Sequence, residues 1–204
     1  MEFGKCEVQC LDRVLKHRRD VRGNNFINKK ISDKKIKKIL RAGIKAPSVG
    51  YSQPWRFKLI KSKKKREKIY KNFKKEYKKS KSHFSNPLYQ KLKLEGIKES
   101  YLNIAVFYKK PKKKILGQTS QKKMGEYSVV CAVQNMWLMA RALNFGIGWV
   151  SILKAKKVKK VLNVGKEYKL VAYLCVGYVK EFLDEPELKR LEWEREMFLD
   201  EVML

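Results

Sequence analysis

The stretch YSVVCAVQNMWLMARALNFGIGWVS, residues 127–151, decides how the rest of this 204-residue chain is read. As far as Leu143 it is apolar on nearly every face, with Arg141 its only charge. A helix of that kind lies in the middle of a core and is packed on several sides. GIGWVS (146–151) then reads as a buried strand, a short basic helix runs on to Leu162, and KLVAYLCV (169–176) is a second buried strand. Upstream, Trp55, Phe57 and Leu59 alternate with Arg56 and Lys58, the pattern of a half-buried strand, and residues 103–108 form another. Ser32 is a good N-cap for a helix whose inner face is Ile36, Ile39, Leu40 and Ile44, with Pro47 beyond its end. Residues 63–79 form a basic amphipathic helix presenting Ile69, Tyr70, Phe73 and Tyr77. Residues 2–19 carry a helical stripe of Phe3, Cys6, Cys10 and Val14, and the polar, proline-containing segment 80–90 reads as a mobile loop or lid entry. Helices outnumber strands, so the fold class is α+β: one central mixed or antiparallel sheet flanked by helices.

The whole chain reads as one domain, with an extension at about 182–204. That extension keeps Leu183, Leu188, Leu191, Trp193, Phe198 and Leu199 among its charges. It is too apolar for a free tail, and it is expected to pack on a second subunit. No run is long and apolar enough to cross a membrane, and the first residues, MEFGKCEVQC, lack the features of a secretory signal. Cys6, Cys10, Cys131 and Cys175 show no CxxC pairing, and with only His17 and His83 in the chain no metal site is expected. A reduced, cytoplasmic setting fits these thiols.

Fifty Lys+Arg against 20 Asp+Glu give a net charge of +30. A basic nucleic-acid-binding protein without catalysis is one reading of that excess. The lysines are scattered along the whole length, however, whereas a dedicated site concentrates charge in one element and uses arginine for bidentate contacts. The scatter favours solvated faces over a specific nucleic-acid site, with salt-sensitive binding to polyanions still expected.

Three segments carry candidate chemistry. Arg18-Arg19-Asp20-Val21-Arg22 places three guanidiniums within five residues, a fork for one phosphate, around a carboxylate whose ionised form they favour. A basic helix terminus complementing the dipole is the alternative reading. APSVGYSQPWRF (46–57) sets a rigid loop of small residues in which Gln53 offers both a donor and an acceptor. Read alone, it is a helix-to-strand turn. Ser151, at the end of a buried strand after two glycines, can reach a bound ligand or simply close backbone hydrogen bonds. No GxSxG, P-loop or GxGxxG pattern occurs.

Taken together, RRDVR (18–22), APSVGYSQPWRF (46–57), LEGIKESYLNI (94–104), residues 127–153 and LCVGYVKEF (174–182) resemble, in order, the nitroreductase family of FMN-binding flavoproteins. Asp20 and the GWVS strand are most similar to the family's flavin-fragmenting branch, the 5,6-dimethylbenzimidazole synthases. The resemblance implies an obligate homodimer with two FMN sites at its interface. It implies that Arg18 and Arg22, with Arg195 from the tail, hold the phosphate, and that Arg19, Val21, Ser48, Gln53 and Leu102 line the rest of the flavin. Asp20 and Ser151 match the positions that act in the branch's reaction. There, reduced FMN is consumed with O2 and yields 5,6-dimethylbenzimidazole, the lower ligand of cobalamin, and erythrose 4-phosphate. NAD(P)H or a separate flavin reductase would stand upstream. An ordinary NAD(P)H-dependent nitroreductase or quinone reductase is the alternative. The chain departs from the family pattern at Ser100-Tyr101, Val179 and Glu194.

Overall fold

The structure is a computed structural model describing residues 1–204. Its centre is a five-stranded sheet built around one long strand, β5 (Tyr168–Val179). One edge of β5 pairs antiparallel with β3 (Leu102–Lys109), which in turn pairs antiparallel with β2 (Trp55–Ile60). The other edge of β5 is shared by β4 (Gly146–Trp149), opposite residues 174–177, and by the two-residue β1 (Phe26–Ile27), opposite Tyr178 and Val179. All these pairings are antiparallel, and a single parallel bridge, Asp20 to Ile147, adds the RRDVR segment beside β4. The expected strands are therefore present, but β4 ends at Trp149, before Ser151, and β5 runs three residues past Val176.

Side-chain alternation along β3 and β5 divides the core in two. Leu102, Ile104 and Val106 face α2 (Asp33–Gly43) and α5 (Met124–Ala142), with Met136 and Ala140 of α5 fully buried among them. Ala105, Phe107, Tyr173 and Cys175 face α3 (Lys63–Ser80) and α6 (Ala155–Leu162). An irregularity between Val106 and Phe107 leaves Val171 unpaired in the β3–β5 ladder and adds local twist. Burial of the strand pair extends to polar groups: Tyr173 Oη donates to Asn103 Oδ1 at 2.7 Å, and Asn103 Nδ2 donates to Ser100 Oγ at 2.7 Å.

Local chemistry explains most boundaries. The Ser32 and Ser62 side chains accept from the backbone N–H of Lys35 and Lys65, capping α2 and α3. Ile36 and Ile39 are buried as expected, but Ile44 and Leu59 are exposed, because Ile44 lies past the last helical residue and β2 is an edge strand. The segment expected as a loop contains α4 (Pro87–Lys91), which Asn86 caps and Pro87 starts at its N1 position. α1 (Lys5–His17) forms, yet buries no residue within the chain. In the tail, α7 (Glu187–Arg190) and α8 (Leu199–Val202) are short, and Trp193 packs against Phe84 and Tyr89 of its own chain. No helix is long and apolar enough to cross a membrane.

Candidate active site

The RRDVR segment leaves α1 in extended conformation and is held at three levels. Its backbone joins the sheet, with Val21 N–H donating to the Ile147 carbonyl at 3.0 Å. Beneath it, the indole N–H of Trp137 donates to the Arg19 carbonyl at 3.1 Å, and the Arg18 guanidinium lies 5.0 Å over the Trp137 ring. Just beyond, Gly23 N–H donates to the Glu95 carbonyl at 2.7 Å, so the LEGIKES stretch buttresses the far end. Two glycines are required by these approaches. A Cβ on Gly148 would sit 2.2 Å from the Val21 carbonyl oxygen, and one on Gly23 would sit 2.7 Å from that of Glu95.

The three arginines have different duties. Arg22 pairs with Asp20, Nη2 to Oδ2 at 2.5 Å. Arg18 rests on Trp137, a cation–π seat that fixes a charge without neutralising it. Arg19 turns away from both: its guanidinium donates to the carbonyls of Lys16, Arg18, Leu183 and Asp184, tying the end of α1 to the start of the tail. Loss of water around it and the neighbouring Arg18 charge depress its pKa. Of the three, then, Arg18 and Arg22 are the ones whose guanidiniums are not committed to backbone carbonyls.

Asp20 sits at the centre. Its Oδ1 accepts from the Trp149 backbone N–H at 3.1 Å while Oδ2 faces Arg22. Burial pushes its pKa above the usual carboxylate range, and this outweighs the opposing pull of Arg22 and of the Trp149 hydrogen bond. The guanidiniums favour its ionised form, as expected, but loss of water is the larger effect. A cleft of about 230 Å³ opens beside it, between Arg19, Asp20, Arg22 and Asn25 on one wall and Lys180 and Leu183 on the other.

Ser151 lies two residues beyond Trp149, exposed, with no hydrogen bond from its side chain. Ser48 is half-buried, and its Oγ accepts from Gln53 N–H at 3.1 Å; Gly50, Tyr51 and Gln53 all adopt left-handed backbone there. This confirms a tight loop and leaves the Gln53 side chain exposed. Val21 is buried behind the fork. Two expected positions stand apart within the chain. Leu102 is wholly enclosed in the α2/α5 core, so its side chain offers no surface to a ligand. Arg195 is on the exposed tail, paired with Glu201.

Sequence reasoning passed over Trp137 and Trp149 as site residues. Trp137 supports the arginine segment and Trp149 orients Asp20, and the two rings pack together at 6.5 Å. The only signal in the sequence was the presence of two large indoles flanking an otherwise aliphatic core segment.

The donor set fits a phosphate-bearing ligand: Arg22, paired with Asp20, lines the cleft, and Arg18, fixed over an indole, stands just outside its lining. The Nitroreductase family pattern matches residues 15–178. A 5,6-dimethylbenzimidazole synthase from Rhodospirillum rubrum is 38% identical over 189 residues, covering 90% of this chain and 89% of that protein. One from Rhodobacter capsulatus is 34% identical over 203 residues, covering 97% of each. Among solved structures, a BluB-like flavoprotein from Clostridium difficile superposes with a TM-score of 0.72 at 22% identity, covering 95% of this chain and 97% of that one. Iodotyrosine deiodinase bound to FMN and 3-iodo-L-tyrosine also gives 0.72 at 22% identity, covering 85% and 91%. Fold, motif order and relatives agree that this chain belongs to the nitroreductase family.

Proposed function

We infer that this chain is a 5,6-dimethylbenzimidazole synthase that consumes reduced FMN and O2 and releases erythrose 4-phosphate. What carries the reading is the two relatives of that name, which match nearly the full length. The position of Asp20 supports it, a carboxylate kept among arginines at the mouth of a cleft. Bound reduced flavin supplies the electrons and the ring carbons of the product.

The residues of this chain do the following. Arg18 and Arg22 bind the phosphate, and Trp137 keeps Arg18 from folding back onto solvent. Arg19 lines the ligand cleft while its guanidinium, held by backbone carbonyls, sets the tail's starting direction. Asp20, with its proton affinity raised by burial, accepts and returns a proton near the ribityl chain; its Oδ1 is fixed by Trp149 while Oδ2 is free to exchange Arg22 for a substrate proton. Ser151 offers an uncommitted hydroxyl that orients the ring system by a hydrogen bond. Ser48 and Gln53, joined in one tight loop, would line the bound flavin.

The working unit is a homodimer. α1 buries nothing in its own chain, and Val8, Leu11, Leu15, Phe198, Leu199 and Met203 are all exposed. Of residues 182–204, the part beyond Trp193 packs on the second subunit and brings Arg195 to the partner's phosphate site. Reduced thiols and the absence of a disulfide suit a cytoplasmic enzyme. The test is a single turnover: protein, reduced FMN and air, with 5,6-dimethylbenzimidazole quantified against reoxidised FMN. Benzimidazole formation from a species that sediments as a dimer with one FMN per chain is expected. Steady NADPH-driven reduction of a nitro compound, with the flavin spectrum unchanged and no benzimidazole formed, overturns the reading.

A further inference from the structure

The charge that looks scattered in the sequence is gathered by the fold. Nine of the 20 acidic residues lie in 181–204 with only three basic ones, so that segment carries a net −6 and the remaining 180 residues carry +36. Between Glu126 and Glu167 there is no acid at all, and α6 lies within that interval. On the sheet face opposite α5, α3 and α6 pack side by side, and a cleft of about 320 Å³ runs between them. Five lysines line it: Lys68, Lys71 and Lys75 from α3, and Lys157 and Lys160 from α6. All five are exposed, and none has an ion-pair partner. No acidic residue shares the lining.

Five like charges converging on one cleft repel one another, and helix spacing at i, i+3 and i+7 gives no relief. The backbones that hold them there are rigid, because Ile69 and Val158 are wholly buried beneath. At the floor, Asn72 is 7% exposed; its amide nitrogen donates weakly to the Lys154 carbonyl at 3.4 Å, and its amide oxygen, sealed from water, has no partner. An ammonium drawn inward would satisfy that oxygen. The unrelieved lysine charge favours an occupant that is small and dense in negative charge.

We propose that the α3/α6 cleft is a binding site for a condensed phosphate, a ligand with two or three consecutive phosphoryl groups. The Lys68–Lys75 spacing spans about 10 Å along the helix axis, enough for a short polyphosphate lying lengthwise. The apolar part of the lining is aliphatic, Ile69, Val158 and Val161, so there is no ring for a base to stack on and no arginine for edge recognition. That favours a compact phosphate chain over a nucleic-acid strand. The cleft shares no lining residue with the one beside Arg22 and does not depend on the flavin reading.

The experiment is calorimetric titration of the full chain with tripolyphosphate at physiological salt, with FMN in excess so that the arginine fork is filled. Two variants are compared: Lys68→Gln/Lys71→Gln/Lys157→Gln in the cleft, and Lys58→Gln/Lys112→Gln/Lys122→Gln, which removes the same charge elsewhere. The cleft variant should lose affinity by about tenfold or more, since each lysine released from a phosphate removes a counterion-release contribution. The control should change by less than about twofold. Orthophosphate should bind far more weakly than tripolyphosphate. Equal losses in the two variants would show a response to net charge alone and overturn the site. So would a single-stranded oligonucleotide that binds more tightly than tripolyphosphate with the same dependence on the cleft lysines. All six substitutions are at exposed positions, and unchanged circular dichroism and melting confirm that folding is not the cause.

Discussion

Replacing Asp20 with Asn separates a folding role from a chemical one. The amide keeps an oxygen where Oδ1 accepts from Trp149 N–H at 3.1 Å, so the segment keeps its shape. What is lost is the charge facing Arg22 at 2.5 Å. A carboxylate and a phosphate sharing one guanidinium from opposite sides lie at about 6 Å, where like charges repel by about 3 kcal/mol at an effective dielectric of about 20. Asp20→Asn should therefore bind FMN at least as tightly as the parent. Benzimidazole formation should nevertheless fall by about 10²-fold or more, the usual scale for a lost general acid or base. The assay is the single turnover with reduced FMN and air, in which the variant's flavin should return almost wholly as oxidised FMN. Stability supplies an independent arm. Because the folded-state pKa of Asp20 is raised, the folded chain binds its proton more strongly than the unfolded chain. Its contribution is then fully present below the unfolded pKa and is lost as pH rises through the folded one. The Asn variant should melt higher than the parent at pH 7, and the gap should close as pH falls through that window. Parental yields of benzimidazole from the variant would remove Asp20 from the chemistry. A variant that binds FMN poorly would show that the carboxylate builds the phosphate fork instead.

Gly148→Ala should be among the most damaging single changes, losing about 3 kcal/mol or more because its new methyl meets backbone at Val21; urea denaturation measures this, and FMN affinity should fall with it. Trp137→Phe keeps the ring but leaves the Arg19 carbonyl without its donor, so stability should drop by about 1 kcal/mol and FMN titration should show several-fold weaker binding. Ser151→Gly should bind FMN normally and lower benzimidazole yield less completely than Asp20→Asn, read in the same single turnover. Cys175, wholly buried and with its thiol pKa raised by desolvation, should react with a thiol reagent only on unfolding.

The elements that announced themselves in the sequence are those whose packing is set by their own pattern. α5 is apolar all round and lies at the centre; α2 begins at its serine cap; β3 is buried along nearly its whole length. The errors fall where partners outside the segment decide. Leu59 alternates correctly, yet its strand lies at an edge; α4 is the exception, a helix start that Asn86 and Pro87 signal locally and that the polar segment concealed. For the site, three arginines in five residues pointed to an anion. Which of them faces it depends on the carbonyls of Leu183 and Asp184, some 165 residues away, and no local pattern encodes that. The support given by Trp137 is equally non-local, reaching across 118 residues.

Arg19 joins two things that would otherwise be separate, because one side chain fastens the exit of the tail to the strand that carries Arg18 and Asp20. Where that tail is embraced by a second subunit, thermodynamic reciprocity follows: a ligand that stiffens the strand strengthens the embrace, and the embrace strengthens the ligand's hold by the same factor. Flavin affinity would then rise with protein concentration through the range where subunits associate, and flavin would slow their exchange. The enzyme would have a full grip on its substrate only when assembled, so a lone chain would be a poor trap for the flavin needed elsewhere.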